Sequence, residues 1–242
     1  MMYLNERIDD LQRGGLRVIQ RADAFRFGTD AVLLADFAAP RRHDRVCDLG
    51  TGTGIIPLLL YARENTISAD AVEIQPDMAD MAARSMALNG LADRLRVLPG
   101  DLRSIRTLLP HARYDLVTCN PPYGKAGGTL LNPDASKRLA RHEESCAIED
   151  VACAAAWLLQ NGGRLCCVFP VARMIELSDA MRKYRMAPKR IRMVHSRVEK
   201  AAHLCLMEGM LDARPGLIIE PPLVIYDENN AYTPELRRIY GL

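Results

Sequence analysis

Between residues 45 and 194, short apolar runs of strand length alternate with segments whose apolar positions recur at the helical period. Residues 45–49, 69–74, 94–98, 114–119 and 164–169 read as strands. Helices are expected at 55–64, where Pro57 is tolerated in the first turn, and from Pro76 to Asn89-Gly90, where Met78, Met81, Ala82, Ser85 and Leu88 share a face. Two more are expected near 148–159 and 172–184. Strands separated by helices of this length imply a parallel sheet covered on both faces, with its ligand at the carboxyl ends of the strands. Segments 189–194 and 203–210 have no helix between them and read as an antiparallel pair closing one edge. Residues 217–226 read as extended, and Thr233-Pro234-Glu235 opens a short terminal helix. Residues 1–40 stand apart: extended 16–20 and 24–27, then a helix over 30–38 capped by Thr29. The expectation is a Rossmann-like, doubly wound α/β sheet, mostly parallel with an antiparallel edge hairpin, over residues 41–242. Residues 1–40 form an extended and helical cap packed on it.

Composition narrows this little. In 242 residues, 49% are apolar and 26% charged, which excludes disordered and collagen-like chains. Thirty-two Lys and Arg against 30 Asp and Glu leave +2, so a nucleic-acid partner would have to be met by a local patch. The first ten residues carry Glu6, Arg7, Asp9 and Asp10 and no apolar run of signal-peptide length. No stretch of 18 apolar residues occurs; the longest candidate, 151–159, runs into Gln160-Asn161-Gly162-Gly163, which reads as a helix end. The seven cysteines show neither Cys-x-x-Cys nor Cys/His ligand spacing, so we expect no metal, ordinary reduced thiols and a soluble, cytoplasmic protein.

The run Val46-Cys47-Asp48-Leu49-Gly50-Thr51-Gly52-Thr53-Gly54 passes from a strand through a glycine loop into a helix. A pyrophosphate cradle wants Gly-x-Gly-x-x-Gly, but here the third glycine falls one residue early and Ile55 stands in the expected place. Asp48 would repel a pyrophosphate and suits a ligand bearing an ammonium group. Glu73, at the end of the second strand, can accept from a ribose diol, and Asp101, after the third, from an adenine amino group. Ammonium, ribose and adenine together describe S-adenosylmethionine; a plain strand-to-helix turn is the alternative for the loop alone.

Asn120-Pro121-Pro122-Tyr123 follows the fourth strand at the same edge. Two prolines fix the turn and remove two amide donors, so the Asn120 side-chain oxygen and the Pro121 carbonyl can both accept from one substrate NH2. That orients the amine lone pair for in-line displacement at a methyl group, through positioning and electrostatics and without a strong base. Tyr123 offers a face on which a flipped base can stack. A rigid proline turn with a packing tyrosine is the bland alternative.

These motifs, in this order, resemble the class I S-adenosylmethionine-dependent amino-methyltransferases, whose sheet is seven-stranded. With Phe27-Gly28-Thr29-Asp30-Ala31-Val32-Leu33-Leu34-Ala35, Glu6-Arg7-Ile8-Asp9-Asp10-Leu11 and Arg141-His142-Glu143, the chain is similar to the bacterial tRNA1(Val) adenine N6-methyltransferases, which modify the adenosine beside the anticodon. The resemblance covers most of the chain. It implies that Asp48, Gly50, Thr51, Gly52 and Gly54 hold the methionine end and Glu73 the ribose. Asp101 and the Leu102 amide would read the adenine, with Ile74 and Asn120 completing the cofactor contacts. Thr29 and Asp30 would lie near the methionine or the substrate entry; a helix cap is their alternative.

Residues 182–200 hold eight Lys or Arg against Glu199 alone, and read as a phosphate-binding stripe that includes Arg190 and Arg192 or, blandly, as a solvated helix and edge strand. Lys125, with Lys137, Arg138 and Arg141, follows the Asn-Pro-Pro-Tyr turn. The loop 124–128 is expected to order over the flipped base. Structured RNA, tRNA above all, is the expected partner. The alternatives are a protein glutamine amide, other rRNA or DNA amino groups, or an RNA-binding protein with a vestigial cofactor site.

Overall fold

The computed structural model describes residues 3, 5–21, 28–121 and 147–242. Tyr123, Lys125 and the 124–128 loop lie outside the described residues.

Eight elements form the central βα unit: β3 (Arg45–Leu49), α2 (Ile55–Arg63), β4 (Ser68–Glu73), α3 (Pro76–Leu88), β5 (Leu95–Pro99), the four-residue α4 (Ile105–Leu108), β6 (Tyr114–Cys119) and α5 (Ile148–Leu158). β7 (Leu159–Pro170), α6 (Met174–Lys183), β8 (Met186–His195) and β9 (Ala202–Leu211) follow. The two-residue β10 (Ile218–Ile219) and β11 (Leu223–Val224) and then α7 (Pro234–Tyr240) end the chain. Among the described residues the sheet runs β10-β8-β9-β7-β6-β3-β4-β5, with β11 also on β8. It is parallel except at β9, which is antiparallel to β7 and β8, so the expected edge hairpin is present. It has nine strands rather than seven, because the extended 217–226 segment breaks into two short strands parallel to β8.

Both faces of the sheet are covered, and side chains alternate strictly between them. Val46, Leu116, Cys166 and Val168 face a core with α1 (Thr29–Ala38), α2 and α7, while Cys47, Val117, Leu165 and Cys167 face α5 and α6. Buried Val32, Leu33 and Leu34 make α1 part of the first core. The chain before it forms an antiparallel hairpin of β1 (Glu6–Asp10) and β2 (Arg17–Arg21). The hairpin is tied to α3 by the Arg84–Glu6 ion pair at 2.5 Å and the Ser85 hydroxyl under the Ile19 amide. Thr29 is not the cap of α1: Gly28 holds that position, and Thr29 is the first helical residue.

The segment read as a helix end, 160–163, instead lies within β7, whose register against β6 shifts between Tyr114 and Leu116. The next residue, Arg164, is buried and makes an ion pair to Glu208 of β9 at 3.1 Å, and it donates to the Ala38 carbonyl at the end of α1 at 2.9 Å. Glu208 also accepts from Arg190, and without it the buried Arg164 guanidinium would keep only the longer ionic contact to Asp44 at 3.5 Å, leaving its charge under-compensated. Glu208→Ala should therefore cost about 3–5 kcal/mol in denaturant unfolding, and a loss below ~1 kcal/mol would contradict this role.

The hydrogen bond from Arg164, midway along β7, to the Ala38 carbonyl ties the C-terminus of α1 to the sheet, and Thr29 and Asp30 open the other end of that helix.

Candidate active site

Strand register places the chemistry-bearing residues in one row. Leu49 is level with Cys119 on one side and Val72 on the other, and Glu73 is level with Pro99. Asn120, Gly50, Glu73 and Gly100-Asp101 therefore leave β6, β3, β4 and β5 at a common edge. Three inter-strand steps of about 4.8 Å make this row ~14 Å long.

The glycine loop is bound to its neighbour. The amides of Gly50 and Thr51 donate to the Val72 carbonyl at 2.9 and 3.1 Å, and the Gly52 amide to Glu73 Oε2 at 2.8 Å. The other Glu73 oxygen accepts from the Gln75 amide at 2.9 Å. Glu73 thus builds the loop, and each oxygen retains a lone pair for a ligand hydroxyl. Gly50 has a φ of +70° and nothing within 4 Å of where a Cβ would stand, so the backbone is open to close approach. Gly54 also has a positive φ, +82°, and a Cβ there would crowd α3, 2.6 Å from the end of Met86 and 3.2 Å from the Ala82 Cβ. Thr51 is buried, with its hydroxyl oxygen unpartnered.

Asp48 is wholly buried. The Thr118 hydroxyl, in register across the β3–β6 ladder, donates to its Oδ1 at 2.6 Å, whereas Oδ2 has no partner. Burial pushes this carboxyl up from 3.8 to about 7. The Thr118 bond opposes the rise, as does Thr51, which stands close but outside hydrogen-bond geometry; the charge of Glu73 adds to it. An orphaned buried carboxylate oxygen beside an open glycine loop fits a cationic group such as an ammonium. Thr118 carries no motif of its own, and its role becomes visible only once β3 and β6 are known to be neighbours.

Asp101 caps a short 3-10 turn, accepting from the Arg103 amide at 2.9 Å. The Arg103 guanidinium also grips both its oxygens, at 2.8 and 2.6 Å to Oδ2 and 3.1 Å to Oδ1, and holds the carboxyl below its ordinary range. To receive an adenine amino group, Asp101 must be released by Arg103. Leu102 is half-buried against the second core, and Ile74 is 44% exposed just past β4. Asn120 is half-buried and Pro121 buried at the end of β6. The Thr29 hydroxyl contacts the Tyr240 hydroxyl of α7 at 3.2 Å.

The stripe at 182–200 is not one surface. β8 runs ~33 Å from one edge of the sheet to the other, so its ends cannot face one ligand. Arg190 is taken by Glu208 at 3.1 Å, Glu220 at 2.9 Å and the Phe37 carbonyl at 2.8 Å, and Arg192 by Glu235 at 2.8 Å. Lys183 and Arg185 pair with Glu149 and Asp212, each at 2.6 Å. These contacts engage Arg190 and Arg192 within the fold, tying β8 to α1, β9, α7 and the segment after β9.

Among the described residues no cluster of His, Cys, Asp and Glu could hold a metal ion, and no helix is long and apolar enough to cross a membrane.

An open α/β sheet with a carboxylate, a glycine loop and a second carboxylate along its carboxyl edge fits an enzyme that binds a nucleoside cofactor across its strand ends, the methyltransferase type among them. The comparisons agree. The family of the methyltransferase small domain matches residues 22–189. A tRNA1(Val) (adenine(37)-N6)-methyltransferase of Porphyromonas gingivalis is 32% identical over 231 residues, covering 91% of this chain and 89% of that protein. One from Tolumonas auensis is 34% identical over 216 residues, covering 88% and 86%. The crystal structure of a predicted O-methyltransferase from Agrobacterium tumefaciens superposes with a TM-score of 0.73 at 25% identity, over 88% of this chain and 96% of that one. The chain belongs to the tRNA1(Val) (adenine(37)-N6)-methyltransferase family.

Proposed function

We propose that this enzyme transfers the methyl group of S-adenosylmethionine to the exocyclic N6 of an adenine in tRNA, adenine 37 of tRNA1(Val) by analogy with its relatives' names. It would act in the cytoplasm. The observation that carries the reading is the single row of Asn120, Asp48 with the glycine loop, Glu73 and Asp101. Its ~14 Å extent suits an extended amino acid–ribose–adenine ligand lying across four strand ends.

In this reading Asp48 holds the ammonium, with its unpartnered Oδ2 as the acceptor, and the Gly50–Gly54 loop lets the methionine backbone approach. Glu73 takes the ribose hydroxyls on its remaining lone pairs, and Asp101 exchanges Arg103 for the adenine amine. The cofactor, when bound, supplies an electrophilic sulfonium methyl. Asn120 and Pro121 accept the two N6 hydrogens and so aim the nitrogen lone pair; Tyr123 stacks on the base. Such a site needs no strong base, because methylation makes the nitrogen acidic enough to lose its proton to water. Thr29 and Asp30, at the N-terminus of α1, border the methionine side.

The test is incubation with methyl-labelled S-adenosylmethionine and, in separate reactions, unmodified bulk tRNA and cell protein. Label should be recovered as N6-methyladenosine from tRNA. Label in a glutamine side-chain amide would keep the site and replace the substrate, and absence of label from both would overturn the reading.

A further inference from the structure

The carboxyl edge continues past the methyl-transfer row. β8 is parallel to β7, so its last residue, His195, and the turn 196–201 that leads to β9 lie on the same side of the sheet as Asn120. β11 pairs with β8 with Val224 level with His195, and the chain then carries Tyr226 beyond that edge, its amide bonded to the Ser196 carbonyl at 2.9 Å. There Tyr226, Tyr232 and Tyr240 form a ladder, with ring centroids 5.5 Å apart at each step and interplanar angles of 27° and 15°.

Two of these rings have an evident structural use. Tyr232 and Tyr240 pack on the first core, and Tyr240 reaches Thr29. Tyr226 caps the ladder outside that core and is 37% exposed. It is also rigidly presented. Asp227 accepts the amides of Asn229 and Ala231 at 2.9 Å, and the Thr233 amide and hydroxyl close on the carbonyls of Ile225 and Val224 at 3.1 and 2.7 Å. Arg197, held by the Asp227 carbonyl at 3.2 Å, flanks it; Lys200 is exposed in the same turn, and Val198 at the tip of the turn is 80% exposed. The one acid in the turn is Glu199.

We propose that Tyr226, with Arg197 beside it and Lys200 exposed in the same turn, is a stacking platform for an unpaired nucleobase of the RNA substrate, flanking the target adenine. An aromatic face that is fixed before binding costs little to order, and stacking tolerates any base. The four strand steps from β6 to β11 put it roughly 20 Å from Asn120, so it contacts the loop around the target and not the target itself. Cations at the rim take backbone phosphates. This inference rests on the RNA reading of the site.

The experiment measures binding of an unmodified tRNA anticodon stem-loop, in the presence of S-adenosylhomocysteine, to the full chain and to Tyr226→Ala, Tyr226→Leu and Tyr226→Phe. Removing the ring should weaken RNA binding about five- to a hundredfold in both the Ala and Leu variants. Phe should bind nearly as wild type, and S-adenosylhomocysteine affinity should be unchanged in all three. Recovery by Leu would assign Tyr226 to packing, and equal RNA affinity in all the variants would remove it from the interface; either overturns the proposal. If the wild-type chain methylates tRNA while Tyr226 proves neutral, only this inference falls. If the wild type neither binds nor methylates RNA, the function falls with it.

Discussion

Asn120→Ala should reduce methyl transfer by about a thousandfold or more while leaving cofactor affinity within about twofold, since one well-aimed polar group at a reacting centre is worth ~10²–10³ in rate and misalignment adds to it. The expectation comes from the position of Asn120. It leaves β6 one residue beyond the Leu49–Cys119 pairing, beside Gly50, and so stands at the methionine end of the row. Asp101, at the other end, is three strands away. A side chain there can hold the accepting amine without touching ribose or adenine. The control is Asn120→Asp, which keeps an acceptor oxygen and should retain measurable turnover. Rates and cofactor binding would be read by single-turnover methylation and calorimetry. Loss of cofactor affinity equal to the loss of rate would assign Asn120 to the cofactor; full activity in the Ala variant would remove it from catalysis.

How far the sequence discloses such a site depends on the range of the interactions. The strand ends, the glycine loop and the acidic residues after each strand are local features, and β3 and β6 match their expected ranges residue for residue. The row they form follows from a parallel sheet alone. Pairings across the chain are not local. Eight basic residues in nineteen look like a phosphate surface because the acids that pair with four of them, Glu149, Glu208, Asp212, Glu220 and Glu235, are scattered over the chain and return only on folding. Charge clustering along a strand is also a poor guide to a surface when the strand spans the sheet from edge to edge.

Thr29 shows a similar ambiguity at short range. Its residue type is a common helix cap, but a preceding glycine can take the cap geometry, and Gly28 does so, releasing the Thr29 hydroxyl to Tyr240 at 3.2 Å. The hairpin β1–β2 was only half visible because β1, Glu-Arg-Ile-Asp-Asp, has a single apolar residue. Arg84 and Ser85 of α3 hold it through polar contacts that hydrophobic patterning does not register.

The buried carboxyl of Asp48 gives the second large effect, and its sign can be followed through pH. Its value rises from 3.8 to about 7 on folding, so between those limits the folded chain keeps a proton that the unfolded chain has released. Stability of the cofactor-free protein should fall as pH rises from about 4 to about 7 and level off above. Asp48→Asn, which cannot ionise, should be more stable than wild type at pH 8 by up to about 4 kcal/mol and show none of that slope. Function runs the opposite way. An ammonium group favours the carboxylate, so cofactor affinity in the wild type should tighten as pH rises, by up to about tenfold per pH unit below ~7, and then flatten. The Asn variant should bind about ten- to a hundredfold more weakly at pH 8, the worth of one charge-assisted hydrogen bond, with no such rise. Calorimetric titration of S-adenosylhomocysteine at a series of pH values, beside denaturant unfolding of both proteins, reads the two effects together. A variant that binds as tightly as wild type, or that keeps the wild-type pH dependence, would take the ammonium away from Asp48. A variant that is both destabilised at pH 8 and weak in binding would mean that the Thr118–Asp48 bond holds the strands together and does little for the ligand. The combination expected is a more stable protein that binds its cofactor less well, because a carboxylate buried without a full set of donors is costly to the fold until its cation arrives.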